Sequence, residues 1–171
     1  MIQLRDVSFT YAGSSQLALR SVNLSFQPGE RVLICGPSGC GKTTLALVMC
    51  GLLGKENPQA YEGEIHVDGL DVSSTPPAIL AKHVVLVTQN PELSFCTLTV
   101  RDELAFGQEN LAVPPKEIEE RSYAALRAVQ AEALIDPWLD ELSGGEQPTI
   151  AIAASLAMRP EAFILDEPTS N

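Results

Sequence analysis

Two segments near the start of the 171-residue chain alternate apolar and polar side chains. Residues 7–11 read Val-Ser-Phe-Thr-Tyr, and residues 22–26 read Val-Asn-Leu-Ser-Phe. A period of two is typical of a strand with one buried face. We therefore expect these segments to form an antiparallel pair, and residues 64–68 alternate in the same way.

Three other segments are apolar without interruption: residues 32–35, 84–87 and 163–165. A continuous apolar run is typical of a strand that is buried on both faces, as in a parallel sheet. Helices are predicted between these runs, over residues 41–53, 99–110, 116–129 and 143–158. Strands that alternate with helices indicate an α/β fold with a parallel sheet, to which the alternating strands add an antiparallel β subdomain. Residues 55–62 are expected to form a surface loop.

Composition narrows the class of protein. The hydrophobic fraction is 45% and the formal net charge is −11, which fits one compact domain and excludes a disordered chain. The acidic balance argues against nucleic acid as a partner, because phosphate backbones bind basic surfaces. The longest apolar stretch, residues 45–54, is shorter than the roughly 20 residues of a membrane-spanning helix. Cys35 and Cys50 lie in apolar runs and are expected to pack as reduced thiols in the cytosol.

Residues 36–43 match the phosphate-loop pattern G-x-x-x-x-G-K-[ST] in full. The match lies between a predicted strand and a predicted helix, so its backbone N–H groups and the helix N-terminus favour phosphate. Lys42 is suited to the β- and γ-phosphates, and the Thr43 hydroxyl to Mg²⁺. A chance glycine-rich turn is the alternative. The residues predicted to bind the nucleotide here are Gly36, Ser38, Gly39, Cys40, Gly41, Lys42, Thr43 and Thr44.

The apolar run 163–165 ends in two carboxylates, Asp166 and Glu167. Ligands of open α/β sheets bind at the carboxyl ends of the strands. Asp166 is therefore expected to hold Mg²⁺, and Glu167 to polarise an attacking water as a general base. Alone, such a pair often marks only a strand that leaves the core, but beside a complete phosphate loop it indicates a hydrolytic nucleotide site.

Residues 142–147 read Leu-Ser-Gly-Gly-Glu-Gln at a predicted helix start. Ser143 can cap the helix, and Glu146 three residues later completes a capping box. Gly144 and Gly145 are costly in a first helical turn unless a ligand must approach the backbone closely. The bare N–H groups and the serine hydroxyl are suited to gripping a phosphate, so Ser143, Gly144, Gly145 and Glu146 are further candidates.

In order and spacing, the three motifs resemble the ATP-binding subunits of ABC transporters over residues 2–171. By this resemblance, Walker A is Gly36–Thr44, the signature motif is Leu142–Gln147 and Walker B is Phe163–Glu167. The resemblance implies a RecA-like P-loop NTPase core with a parallel sheet and a helical signature subdomain. It divides the chain into an antiparallel piece with the Walker A core (1–88), a helical subdomain (89–145), and the signature helix with the Walker B strand (146–171).

Further roles are implied by the resemblance alone. Tyr11 would stack on adenine, although a core tyrosine is the alternative. Gln89 would contact Mg²⁺, act with Lys42 and Glu167 in hydrolysis, and sense a transmembrane partner. The signature of one subunit would close over the ATP of a second subunit in a head-to-tail dimer.

Residues 87–92 and 98–107 are similar to the energy-coupling-factor ATPases, which drive uptake of vitamins or of cobalt and nickel ions. The implied cofactors are ATP and Mg²⁺, and the implied partners are a permease subunit and a second ATPase subunit. The implied location is peripheral, on the cytoplasmic face of the membrane. The alternatives are a nucleotide-binding fragment without turnover and a soluble ABC ATPase outside transport.

Two features depart from the family. Pro148 falls at the fifth position of a helix that starts at Ser143, where it would remove a hydrogen bond and crowd the Gly144 carbonyl. The sequence ends at Asn171, before the histidine that contacts the γ-phosphate in the family. The domain is therefore expected to be incomplete at its C-terminal end, and to bind nucleotide with little or no turnover.

Overall fold

The computed structural model describes residues 1–54, 61–90 and 95–167. It divides into two compact units, one covering Met1–Val84 and the other starting at Val85. Among the helices of the described residues, none combines the length and the apolar character that crossing a membrane requires.

The first unit is built on a four-stranded antiparallel sheet in the order β2-β1-β3-β4. Its strands are β1 (Ile2–Thr10), β2 (Leu17–Phe26), β3 (Tyr61–Val67) and β4 (Leu70–Asp71). The predicted antiparallel pair is confirmed as β1 and β2, although both strands are longer than expected. The predicted loop 55–62 is too long, because residues 61 and 62 belong to β3, and residues 55–60 lie outside the described part.

A bulge interrupts the pairing of β1 with β3 between Arg5 and Ser8. Gly63 lies there at a φ of +90°, and a Cβ at this position would be 2.5 Å from the Asp6 carbonyl oxygen. Asp6 itself has a φ of 51°. Only glycine fits the Gly63 position, because an L side chain would be strained in φ and would overlap the neighbouring backbone.

The described residues of the first unit include the helices α1 (Lys42–Met49) and the short α2 (Pro77–Leu80). α1 ends earlier than predicted, with Cys50 at its C-cap. Cys50 is buried as expected, and this burial raises the pKa of its thiol to about 12. The side chain is therefore a neutral packing group at physiological pH.

The predicted buried strand at residues 32–35 is wrong. Within the described residues this segment joins neither sheet, and Val32, Leu33 and Ile34 are 50%, 85% and 42% exposed. Cys35 is likewise exposed rather than packed. An apolar run becomes a buried strand only when neighbouring strands take its backbone hydrogen bonds and other elements cover its faces. The described residues supply this segment with no strand neighbour.

A two-stranded parallel sheet consists of β5 (Val84–Val87), whose first residue is the last of the first unit, and β6 (Ala162–Leu165) in the second unit. The Asp166 N–H extends the pairing by donating to the Val87 carbonyl at 2.9 Å. β5 matches its prediction. The expected burial of β6 on both faces is wrong, because Phe163 and Leu165 are 37% and 48% exposed. In the described residues β6 has a single strand neighbour, so it is an edge strand with one open side.

Three helices pack together in the second unit: α3 (Val100–Asn110), α4 (Pro115–Ala128) and α5 (Glu146–Ala157). Leu104, Leu126 and Ile150 are fully buried in their common core. Thr99 caps α3 by accepting a hydrogen bond from the Asp102 N–H, which explains why the predicted boundary agrees with the observed one.

The expected strain at Pro148 is also wrong. α5 begins at Glu146, with Gly145 as its N-cap, so Pro148 is the third helical residue rather than the fifth position after Ser143. The first backbone N–H groups of a helix have no intrahelical acceptor, so a proline in this turn removes no helical hydrogen bond.

Candidate nucleotide-binding site

The phosphate loop precedes α1 in the first unit and is held in place by its glycines. Gly39 and Gly41 have φ values of +78° and +99°, and a Cβ on Gly41 would be 2.6 Å from the Ala18 carbonyl oxygen. Gly36 is less constrained, because its Cβ would be 2.6 Å from the Cys40 Sγ, which is the end of a side chain that can move. Gly39 and Gly41 therefore need glycine for the backbone conformation of the loop.

Lys42 closes this loop. Its Nζ donates to the carbonyl oxygens of Gly36 and Pro37 at 3.1 and 3.3 Å. Ser38, Gly39, Cys40 and Thr43 are exposed, whereas Thr44 is buried in the first turn of α1. The ammonium group is therefore hydrogen-bonded to carbonyl oxygens of an exposed loop, where an anion can compete with those oxygens as its acceptor.

Tyr11 lies directly after β1 and is 43% exposed. Its hydroxyl hydrogen-bonds with the Thr44 Oγ1 at 3.0 Å, and its ring meets Phe9 edge to face with centroids 5.0 Å apart. The aromatic ring is thus fixed beside the last residue of the phosphate loop while part of it stays open to solvent.

In the second unit, the ends of β5 and β6 bring together the predicted glutamine and glutamate. Gln89 follows β5, and its Nε2 donates to the Glu167 Oε2 at 3.2 Å. Asp166 is 8% exposed at the end of β6, and Glu167 next to it has a φ of 48°. This contact could not be read from the sequence distance between the two residues. Each residue lies two positions after the end of its strand, so the contact follows once the two strands are known to be neighbours.

The turn before α5 holds the third motif. The Glu146 Oε2 accepts from the Ser143 N–H at 2.8 Å and from the Ser143 hydroxyl at 2.6 Å. These two hydrogen bonds lower the pKa of the Glu146 carboxyl. The predicted capping box is therefore half formed, because the Ser143 hydroxyl donates to Glu146 rather than accepting from the helix. Gly144 and Gly145 are exposed, and Cβ atoms there would meet no atom within 4 Å.

Oxygen donors of the types that Mg²⁺ prefers occur in each unit. Thr43 in the first unit carries a hydroxyl, and Gln89 and Asp166 in the second unit carry amide and carboxylate oxygens. Across residues 1–54, 61–90 and 95–167, no group of three His, Cys, Asp or Glu side chains forms a protein-only metal site.

Tyr11 and residues 36–44 lie in the first unit, and the Gln89, Ser143 and Asp166 regions lie in the second. The predicted residues lie at the ends of strands or the starts of helices, and most of them are exposed, whereas Thr44 and Asp166 are buried. Sequence reasoning missed the contact of Tyr11 with Thr44. The capping box predicted the hydrogen bond from the Ser143 N–H to Glu146, but not the donation of the Ser143 hydroxyl to the same carboxylate.

Solved structures with similar folds carry the same kind of domain. The chain aligns with cbiO1 from Clostridium perfringens, described as part of the ABC transporter complex cbiONQ, at a TM-score of 0.83 and 29% identity. The alignment covers 99% of this chain and 66% of cbiO1. A dimeric ATP-binding cassette, MJ0796, bound to ADP and Pi, aligns at a TM-score of 0.82 and 27% identity, over 99% of this chain and 75% of that one.

Among curated relatives, the energy-coupling factor transporter ATP-binding protein EcfA of Methanothermobacter thermautotrophicus is 41% identical over 172 residues. That alignment covers 99% of this chain and 53% of EcfA. The chain spans 26–29% of the length of three Methanosarcina relatives. The ABC transporter family model matches residues 19–170. With this match added to the P-loop fold and the three motifs, the chain belongs to the ABC transporter family, as an ATP-binding domain.

Proposed function

We propose that the chain binds ATP–Mg²⁺ at its phosphate loop and belongs to the ATPase that powers a membrane importer. The observation that carries this proposal is the contact of the Lys42 Nζ with the carbonyl oxygens of Gly36 and Pro37. These two acceptors hold the cation over the exposed loop. The β- and γ-phosphates of ATP are stronger, charged acceptors that would take their place.

The other residues complete the nucleotide site. The backbone of residues 36–41 and the N-terminus of α1 would bind the phosphates, and the Thr43 hydroxyl would be a ligand of Mg²⁺. Asp166 and Gln89 would complete the oxygen ligands. Glu167 would then act as the general base for an attacking water. The hydrogen bond from Gln89 to Glu167 supports this assignment, because it links a proposed metal ligand to the proposed base.

Tyr11 is proposed to stack on the adenine. Its exposed ring and the hydrogen bond of its hydroxyl to Thr44 support this role over that of a core tyrosine. Replacement by alanine is then expected to weaken ATP binding with little change in thermal stability. Unchanged affinity with lowered stability would favour the core role.

We also propose that two such domains associate head to tail, with Ser143, Gly144 and Gly145 of one covering the ATP of the other. The open space around both glycines supports this, because, apart from the glycines and their chain neighbours, no atom of the described residues lies within 4 Å of where their Cβ atoms would be. The cassette bound to ADP and Pi is similar in fold and is dimeric, which is a precedent for the association of two such domains.

A mixing experiment tests the association in trans. Lys42→Ala chains should fail to bind ATP. Ser143→Arg chains should bind ATP but should not cover the ATP of a partner. Neither variant alone should therefore self-associate when ATP–Mg²⁺ is added. An equal mixture should associate, because each mixed pair keeps one complete site. Size-exclusion chromatography measures this, with the exposed Lys116→Ala as a matched control. Association of Ser143→Arg alone at the wild-type level would contradict the proposal.

The solute is proposed to be a vitamin or a transition-metal ion, and the partner a permease subunit on the cytoplasmic face of a membrane. The support is the similarity to EcfA and to cbiO1. The alternative is nucleotide binding without turnover. Phosphate release no faster than from Glu167→Gln would support that alternative.

A further inference from the structure

In the turn that begins the signature motif, the donor groups of Ser143 are already hydrogen-bonded to a side-chain carboxylate. Both donor groups of Ser143, its N–H and its hydroxyl, point to one oxygen of Glu146, at 2.8 and 2.6 Å. Hydrogen bonds to a carboxylate favour its charged form, and they lower the pKa of Glu146. The Glu146 carboxylate therefore accepts hydrogen bonds from the same Ser143 donors that a phosphate would use.

The side chain of Glu146 is not needed to close this turn. The N–H groups of Glu146 and Gln147 both donate to the Ser143 carbonyl oxygen, at 2.9 and 3.1 Å. The Thr149 hydroxyl adds a hydrogen bond to the Gly145 carbonyl at 3.1 Å. Three contacts thus hold the turn independently of the carboxylate, so its removal is expected to leave α5 in place.

We propose that Glu146 is a positioning residue that restrains ATP-driven association, by holding the Ser143 donors and by repelling the incoming phosphate of a second copy of this domain. This inference rests on the proposed function, namely on Ser143, Gly144 and Gly145 covering ATP in trans. The phosphate must displace the Glu146 carboxylate from Ser143 and remain near a like charge. The restraint sets how tightly two ATP-loaded domains associate.

The test replaces Glu146 by glutamine, which keeps an oxygen acceptor for Ser143 and removes the charge. ATP–Mg²⁺-dependent self-association of Glu146→Gln should be tighter than that of the wild type, by roughly three- to tenfold for one like charge removed from a partly exposed site. Because the effect is electrostatic, the gain should shrink as salt is added. A purely structural cap predicts the opposite sign, since its loss weakens the turn.

Glu141 provides the matched control. Its Oε2 accepts from the Trp138 N–H at 3.0 Å, so it caps a neighbouring turn by the same type of contact. Glu141→Gln should leave association at the wild-type level. An unchanged or weaker association of Glu146→Gln, or an equal gain in Glu141→Gln, would overturn the proposal.

Two further measurements separate this inference from the proposed function. ATP affinity that is unaffected by Lys42→Ala, or wild-type association of Ser143→Arg, would overturn the proposed function and this inference with it. If both of those variants behave as proposed and Glu146→Gln shows no gain, the restraint alone is wrong.

Discussion

Individual side chains in this domain have surroundings that decide their protonation. The Tyr61 hydroxyl is buried and makes no hydrogen bond within the described residues. Burial is the main cause that raises the pKa of Tyr61 to about 12, and the nearby carboxylates of Asp71 and Glu64 act in the same direction. The folded state therefore favours the neutral phenol over the phenolate.

This shift predicts a late ionisation. The pKa of Tyr61 is higher in the folded state than the value of about 10 in the unfolded chain. The resulting contribution to stability is complete below pH 10 and is lost as the pH rises towards 12. Tyrosinate absorbance should show one of the three tyrosines titrating after the others or together with alkaline unfolding. The late phase should vanish in Tyr61→Phe, and a late phase that persists in that variant would contradict the assignment.

At the residue scale, the sequence predicts a position best where the backbone conformation or the charge there requires one particular residue type. The glycines and lysine of the phosphate loop lie where the motif requires them, because few other residues allow those φ values and that charge. Contacts between side chains distant in sequence, such as Gln89 with Glu167, could not be predicted in the same way. They depend on which strands become neighbours, and local pattern does not contain that information.

Helices and strands were predicted correctly where their bounds depend on residues nearby in the sequence. α3 begins where its Thr99 cap predicts, and β5 coincides with its apolar run. The segment 32–35 fails as a strand because strands depend on partners elsewhere in the chain. The start of α5 at Glu146 was misplaced because the turn at Ser143 is closed by two hydrogen bonds to one carbonyl rather than by a helical turn.

Alanine substitution of two glycines tests how closely the backbones approach at the bulge between β1 and β3. Gly69 has a φ of +81° with open space around it, so Gly69→Ala should lower the free energy of unfolding by roughly 1 kcal/mol. Gly63→Ala adds a backbone overlap with Asp6 and should cost roughly 1–3 kcal/mol more. Denaturant unfolding of both variants measures the difference. Equal losses would show that the bulge relaxes and that the close approach is unimportant.

On the scale of the whole molecule, the motifs are divided between two units. The phosphate loop and Tyr11 lie in the first unit, whereas the glutamine, the signature turn and the carboxylates lie in the second. The sequence predicted the α/β architecture and the family from the order of these motifs, and the family match from residue 19 to 170 confirms both. It did not predict the exposure of β6 and of the segment 32–34, because burial depends on what surrounds a strand.

The central claim is that ATP–Mg²⁺ binds at the loop closed by Lys42. A titration of the chain with a fluorescent ATP analogue, compared with Lys42→Ala and with the exposed control Lys116→Ala, tests it most directly. Loss of charge-assisted hydrogen bonds should weaken binding by Lys42→Ala by roughly tenfold or more. Lys116→Ala should bind like the wild type. Equal affinity of the wild type and Lys42→Ala would contradict the claim.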